Sequence, residues 1–246
     1  MAPSEAPPEA SSEVTCLFLF NGQYMITFGL DTANLNKAHM TIVKDIFDFF
    51  FGTSYEAVWR KFSADNNGEY IVGEADKLDR VEIPYLHYKF IFDRHVHYQV
   101  VGGKSYNTLF TRARLEFKSP DNLRFTLVKQ GLIENINKLF GGQDINIGNK
   151  AFDRKFRIKG SDEYKIQVLF SNEIIQPLLL LQKDIQLQIL DKSGIFDEPV
   201  QEGNSMLYYI SETAVKDIEQ LNALLKLYIA FTDQLIKLSS ANRSAT

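Results

Sequence analysis

Residues 150–181, KAFDRKFRIKGSDEYKIQVLFSNEIIQPLLLL, carry the densest local instructions in this chain. Phe152, Phe156 and Ile158 face one way and Lys155, Arg157 and Lys159 the other, which predicts a strand with one wet face. Gly160 breaks that strand. Ser161 is placed to cap a helix, with Asp162 and Glu163 in the first turn, where carboxylates complement the helix dipole. The helix presents Tyr164, Ile166, Leu169 and Phe170 before a second capping candidate, Ser171. Pro177 then starts, kinks or breaks a second apolar helix, because its nitrogen has no proton to donate. A strand, a glycine and a capped helix in that order call for helices laid on a sheet, and none of these residues is recognisably catalytic.

The rest of the chain reads in the same way. Residues 1–13 are rich in Pro, Glu, Ala and Ser, a composition that cannot offset its ordering entropy by burial and predicts a disordered tail. Two apolar runs, 14–20 and 24–30, flank Asn21-Gly22 and predict a hairpin. Leu35, Ile42, Val43, Ile46, Phe47 and Phe50 recur at helical spacing, and Ser54 can cap a shorter helix bearing Tyr55, Val58, Trp59 and Phe62. The expected unit 14–63 is therefore a hairpin with two helices packed on it. Residues 64–82 are polar and acidic, and are expected as a linker or long surface loop. A main α+β region over 83–240 follows, either separate from 14–63 or continuous with it.

Within that region, 85–92 and 96–101 are candidate strands. Residues 106–118 alternate, with Leu109, Thr111, Ala113, Leu115 and Phe117 opposed to Arg112, Arg114, Glu116 and Lys118. The turn Ser119-Pro120-Asp121-Asn122 predicts a hairpin between this strand and 123–128. A short helix over 131–140 ends at Gly141-Gly142. Strands over 185–189 and 206–211 are expected to pair across a long loop, and a broad apolar stripe predicts a helix from about 212 to 238. That stripe suits packing on a sheet or against a second copy of the chain. The fold class expected is α+β, a largely antiparallel sheet covered by helices with a long C-terminal helix.

With a net charge of −4 and a pI near 5.6, wholesale coating of nucleic acid is disfavoured, while a local basic face is allowed. Cys16 is the single cysteine, so no internal disulfide forms. No run reaches the roughly 18 apolar residues that span a bilayer, and the location expected is cytoplasmic, with peripheral membrane association as the alternative. The aromatic cluster of Phe47, Phe49, Phe50, Phe51, Trp59 and Phe62 invites that alternative; its carboxylates at Asp45 and Asp48 favour packing in a core.

Three residue sets are candidates for chemistry. Asp93, His95 and His97 would share a face of one continuous strand, and a His-x-His pair with a third ligand is a known way to hold zinc. Against it, Asp93-Arg94 can equally be read as a turn, and neither a cysteine nor a further histidine stands at a convincing spacing. Gly102-Gly103-Lys104-Ser105 ends like a phosphate-binding loop, but Tyr98 stands where that motif needs its first glycine, and a strand follows, so it reads as a hairpin turn. The third set is basic: Arg112, Arg114 and Lys118 on one strand, with Lys155, Arg157 and Lys159 on another and Arg124 nearby. If these strands are neighbours, they form a positive patch for an anionic lipid head group, nucleic acid or an acidic partner. Glu116, Asp153 and helix carboxylates would otherwise neutralise it as cross-strand pairs.

The run from Phe152 to Leu181, with Phe152, Asp153, Phe156, Ile158, Asp162, Leu169, Leu178 and Leu179 in register, resembles an uncharacterised bacterial domain family of unknown function over residues 150–238. The resemblance implies a phenylalanine-rich strand, an acidic capped helix and a leucine-bearing second helix, with some members membrane-anchored; it supplies no catalytic residues. The function expected is that of a non-enzymatic binding or scaffolding protein acting through the basic sheet face or the C-terminal helix, without a cofactor. A metal-dependent enzyme at His95 and His97 and a peripheral membrane protein are the alternatives. An anionic ligand, a protein partner or a second copy through the C-terminal helix are the partners expected.

Overall fold

The structure, a computed structural model, describes residues 13–20, 24–31, 54–73, 78–102, 104–130, 144–182, 184–192, 196 and 199–241. The chain divides into two compact units, residues 1–53 and 54–246. In the first unit β1 (Glu13–Phe20) and β2 (Tyr24–Asp31) pair antiparallel from Glu13↔Asp31 to Phe20↔Tyr24, as the runs flanking Asn21-Gly22 predict. Of the tail expected over 1–13, Glu13 opens β1 and residues 1–12 lie outside the described residues, as do the helices expected to bear Phe47 to Phe51 and to span 131–140.

The second unit is an α+β fold. Its strands are β3 (Glu69–Ile71), β4 (Arg80–Tyr85), β5 (Tyr88–Val101), β6 (Lys104–Lys118), β7 (Phe125–Lys129), β8 (Phe156–Gly160), β9 (Gln186–Leu190) and β10 (Asn204–Ser211). They form one sheet in the order β3-β4-β5-β6-β10-β9-β7-β8, antiparallel throughout. The helices described are α1 (Tyr55–Asp65), α2 (Lys150–Lys155), α3 (Glu163–Phe170), α4 (Ile175–Leu181) and α5 (Ile218–Lys237). Residues 64–82, expected as a linker or long surface loop, contain the end of α1, all of β3 and the start of β4, and fall within this second unit.

The registers align one row across all eight strands: Tyr70, Val81, Phe92, Ala113, Tyr209, Leu187, Leu127 and Ile158. Side chains alternate across a strand, so this row and its even neighbours face the helices. The apolar stripe of α5 is occupied by that face of its own sheet rather than offered to a second copy. Leu221, Leu224, Tyr228, Phe231 and Leu235 are buried, and the Tyr228 hydroxyl donates to the carbonyls of Ala113 (2.5 Å) and Leu207 (3.3 Å). Phe231 meets Phe125 and Phe170 at ring-centroid distances of 6.1 and 5.6 Å. Ser54 caps α1 by accepting from Ala57 N, which lays Trp59 and Phe62 into the core. Phe62 packs edge-on to Phe92 at 5.3 Å, and Trp59 Nε1 donates to Val215 O at 3.1 Å. Neither ring is available to a membrane surface.

Three local readings change. Residues 150–155 form a helix, not a strand, because Asn149 caps it by accepting from Ala151 N and Phe152 N. Phe152 and Phe156 are four residues apart, a spacing that satisfies a strand and a helix alike, so both rings still reach the core. The cap of α3 is Asp162, accepting from Lys165 N; Ser161 instead exchanges hydrogen bonds with the Arg124 backbone. Ser171 closes α3 rather than opening the next helix, and Pro177 sits in the first turn of α4, where its missing proton leaves no bond unmade.

The largest correction concerns the turn at 119–122. β6 does not form a hairpin with β7: it pairs with β5 and β10, while β7 pairs with β8 and β9. Asp121 accepts from Leu123 N, from Lys165 Nζ on α3 and from Ser240 Oγ after α5, so the turn is anchored away from β6. Two later strands, β9 and β10, fill the gap.

Candidate functional site

The face of the sheet opposite the core helices carries the candidate residues. The registers place Glu82, Ile91, Arg114, Tyr208, Gln188, Thr126 and Lys159 in one row. Arg80, Asp93, Arg112, Ile210, Gln186, Val128 and Arg157 form the next. Arg112, Arg114 and Lys118 of β6 and Arg157 and Lys159 of β8 therefore do share a face, but in two groups, and Lys155 is not on a strand. β6 and β8 stand four strand spacings apart in the sheet order, about 19 Å. No single patch joins Arg112 and Arg114 to Arg157 and Lys159.

β5 runs unbroken through Asp93-Arg94, so no turn interrupts it and Asp93, His95 and His97 do lie on one face. Asp93 is committed elsewhere. Its carboxylate, 4% exposed, accepts from Arg112 Nε at 2.7 Å, Arg112 Nη2 at 2.8 Å and Arg114 Nη2 at 2.5 Å. His95 stacks on Phe196 at 4.0 Å, and His97 meets the same ring at 5.4 Å. Among the described residues no group of His, Cys, Asp or Glu could hold a metal ion.

At the other edge the basic residues serve the fold. Lys155 lies on α2 and donates to the carbonyls of Leu180 (2.5 Å) and Gln182 (3.4 Å), closing α4. Burial, and then the charge of Lys129, lower its affinity for the proton. Arg157 stands 3.5 Å from Asp144, Arg124 binds Asp191 at 3.0 Å, and Lys159 lies opposite Thr126.

Sequence reasoning missed what lies between Arg114 and the β4-β5 turn. A cleft of about 430 Å³ is lined by His87, Tyr88, Lys89, Ile91, Arg114, Glu116, Pro199 and Met206. Tyr88, Lys89 and Ile91 come from β5, Arg114 and Glu116 from β6, Met206 from β10, and Pro199 from the segment after β9. That segment reads as a polar loop, yet Phe196 and Val200 pack with Phe110, Met206, Tyr208 and Ile210 as a second, smaller core. Phe196 is the signal that could have found it, an aromatic isolated in a polar run.

The charges at the cleft are organised by shared carboxylates. Glu82 accepts from Arg80 Nε at 2.8 Å and Lys89 Nζ at 2.6 Å. Burial alone would raise its carboxyl; the hydrogen bonds and charges of Lys89 and Arg80 outweigh this and hold it below the ordinary value. Asp93 is shared in the same way by Arg112 and Arg114. Glu116 accepts from Gln201 N and Asn204 Nδ2, both at 2.9 Å, and so holds the segment after β9 against the cleft.

No protein-family model matches this chain, and no curated protein does. Among solved structures it is similar to the crystal structure of the mycobacterial trehalose monomycolate transport factor A, TtfA. The match has 12% identity and a TM-score of 0.39, and covers 74% of this chain and 94% of that one. No helix among the described residues is long and apolar enough to cross a membrane.

Proposed function

We propose that this is a binding protein that holds a small anionic ligand with an apolar body in the cleft beside Arg114. The observation supporting this reading is that Asp93 and Glu82, behind the cleft wall, are each shared by two cations, so that with Glu116 of the wall counted these groups keep one net positive charge, carried into the cleft by Arg114 and Lys89. Arg114 and Lys89 supply charge-assisted donors, while Ile91, Met206 and Pro199 supply apolar wall. A few fixed polar groups among apolar side chains are what orient and retain a small ligand. The reading narrows the basic sheet face to its β5-β6 half and assigns no chemical step to the site.

The test is titration with 8-anilinonaphthalene-1-sulfonate, which joins a sulfonate to an apolar ring system, against its uncharged analogue N-phenyl-1-naphthylamine. The sulfonate binds more tightly, and Lys89→Met and Arg114→Met each weaken it about tenfold, the loss of one charge-assisted hydrogen bond. Equal affinity for both probes, or unchanged affinity in both variants, ends this reading.

A further inference from the structure

Of the three carboxylates around the cleft, two have both oxygens occupied by cations. Glu82 Oε1 accepts from Arg80 and its Oε2 from Lys89; Asp93 Oδ1 accepts from Arg112 and its Oδ2 from Arg112 and Arg114. Glu116, which lies on the cleft wall and is half-buried, differs from them. Both of its hydrogen bonds, from Gln201 N and Asn204 Nδ2, go to Oε1. Its Oε2 accepts from no group, and no cation pairs with it, among the described residues. Arg114 and Glu116 are two residues apart on β6, so they stand on one face about 7 Å from each other along the strand. An anion drawn to Arg114 therefore meets a carboxylate oxygen with no partner, and like charges at that range repel.

We infer that the ligand of this cleft carries a neutral hydrogen-bond donor beside its acidic group, in the manner of a 2-hydroxy acid on an apolar chain. The acid accepts from Arg114 and Lys89, the hydroxyl donates to Glu116 Oε2, and the chain lies along Ile91, Met206 and Pro199. The hydroxyl turns the repelling oxygen into an acceptor. Charge decides that this donor is neutral: the groups around the cleft keep one net positive charge, which a monoanion neutralises and a zwitterion does not. A site built to bond a ligand hydroxyl rejects the analogue that lacks it, because its own polar atom is then left unpaired. This specificity rests on the anion reading of the cleft and goes beyond it in naming the group beside the acid.

The test is displacement of 8-anilinonaphthalene-1-sulfonate from the full chain by 2-hydroxydecanoate, by its methyl ether 2-methoxydecanoate and by the zwitterion 2-aminodecanoate. The first two are monoanions of one chain length at neutral pH and differ in the donor alone. 2-Hydroxydecanoate displaces the dye at a concentration at least about tenfold lower than the methyl ether does, the worth of one hydrogen bond to a charged group. 2-Aminodecanoate is the weaker of the two donors. Glu116→Gln keeps an oxygen for Gln201 and Asn204 and replaces the unpartnered one by an amide nitrogen, so the urea midpoint is unchanged while the preference for the hydroxy acid falls below about threefold. Equal displacement by the hydroxy acid and its methyl ether in the parent protein overturns the inference, as does displacement by none of the acids, even where the dye itself prefers charge. A preference that survives in a folded Glu116→Gln variant overturns it too, since another group then reads the hydroxyl. Equal affinity for the dye and its uncharged analogue is the separate failure of the anion reading, and the inference falls with it.

Discussion

Replacing Asp93 by asparagine removes one negative charge from the middle of β5 while keeping the size and shape of the side chain. In the parent protein that carboxylate accepts three hydrogen bonds, two from Arg112 and one from Arg114, and its own exposure is 4%. Arg112 is 8% exposed and also lies 5.8 Å from the centroid of the Phe196 ring, so it has little access to water once its counter-charge is gone. Arg114, with its side chain 18% exposed, is left in the same position. Breaking a buried ion pair by neutralising one partner costs about 3–5 kcal/mol, since the remaining charge stays desolvated. In a chain of this size that lowers the thermal midpoint by roughly 6–20 °C. Urea denaturation followed by circular dichroism measures the loss directly as a shift in midpoint at constant slope. Combining Asp93→Asn with Arg114→Met removes one of the stranded cations and recovers about 1 kcal/mol or more of the cost, a coupling that a double-mutant cycle reads. A single-variant loss below about 1 kcal/mol, or strict additivity in the cycle, would show that water reaches these guanidinium groups and that the cluster is not a buried one.

Other expectations follow from packing and titration. At Gly160 an added Cβ would lie 2.3 Å from Ile166 Cδ1 and 2.5 Å from the Arg124 carbonyl oxygen. Gly160→Ala therefore destabilises by about 1–3 kcal/mol through overpacking, checked by the urea midpoint. Phe231→Ala removes a fully buried ring between Phe125 and Phe170 and costs about 3–5 kcal/mol by the same assay; a loss under 1 kcal/mol would mean that α5 does not close the core. Burial, and then the hydrogen bond to Asp233, push the Tyr85 hydroxyl up to about 12, and burial raises Tyr209 and Tyr228 as well. A folded-state value above the unfolded value near 10 means that the folded chain keeps its proton longer, so stability present below pH 10 is lost as pH rises toward 12. Denaturation midpoints at pH 9 and pH 11 show this fall, and Tyr85→Phe makes it shallower.

Much of this fold is legible residue by residue. The alternation of β6 assigns Ala113, Leu115 and Phe117 to the core and Arg112, Arg114 and Glu116 to the opposite face, as the registers have it. Ser54 caps α1, and the broad stripe of α5 meets a sheet. The errors arise where one pattern serves two structures. The four-residue spacing of Phe152 and Phe156 fits a helix as well as a strand, and Asn149, outside the apolar pattern, decides between them. The candidate site was legible only in pieces. The sequence marks Asp93 only as a metal-ligand candidate and Arg112 and Arg114 only as part of a basic face, not as one cluster. Lys89 and Glu82 carry no sign of membership, and Phe196 signals it only as an aromatic isolated in a polar run.

Sequence alone determined the class of structure, the faces of the strands and the absence of a spanning helix among the described residues, because a two-residue period and a cap are local properties of the chain. Beyond the pairings of β1 with β2 and of β9 with β10, which the sequence leads one to expect, only the tertiary structure decided which strand lies beside which. The order β6-β10-β9-β7-β8 separates Arg114 from Lys159, and the pairing of β5 with β6 gives Asp93 to Arg112 and Arg114. Strand neighbours are chosen by core packing and by turns anchored far away in sequence, as Asp121 is to Lys165 and Ser240, and such contacts leave no period in the chain to read.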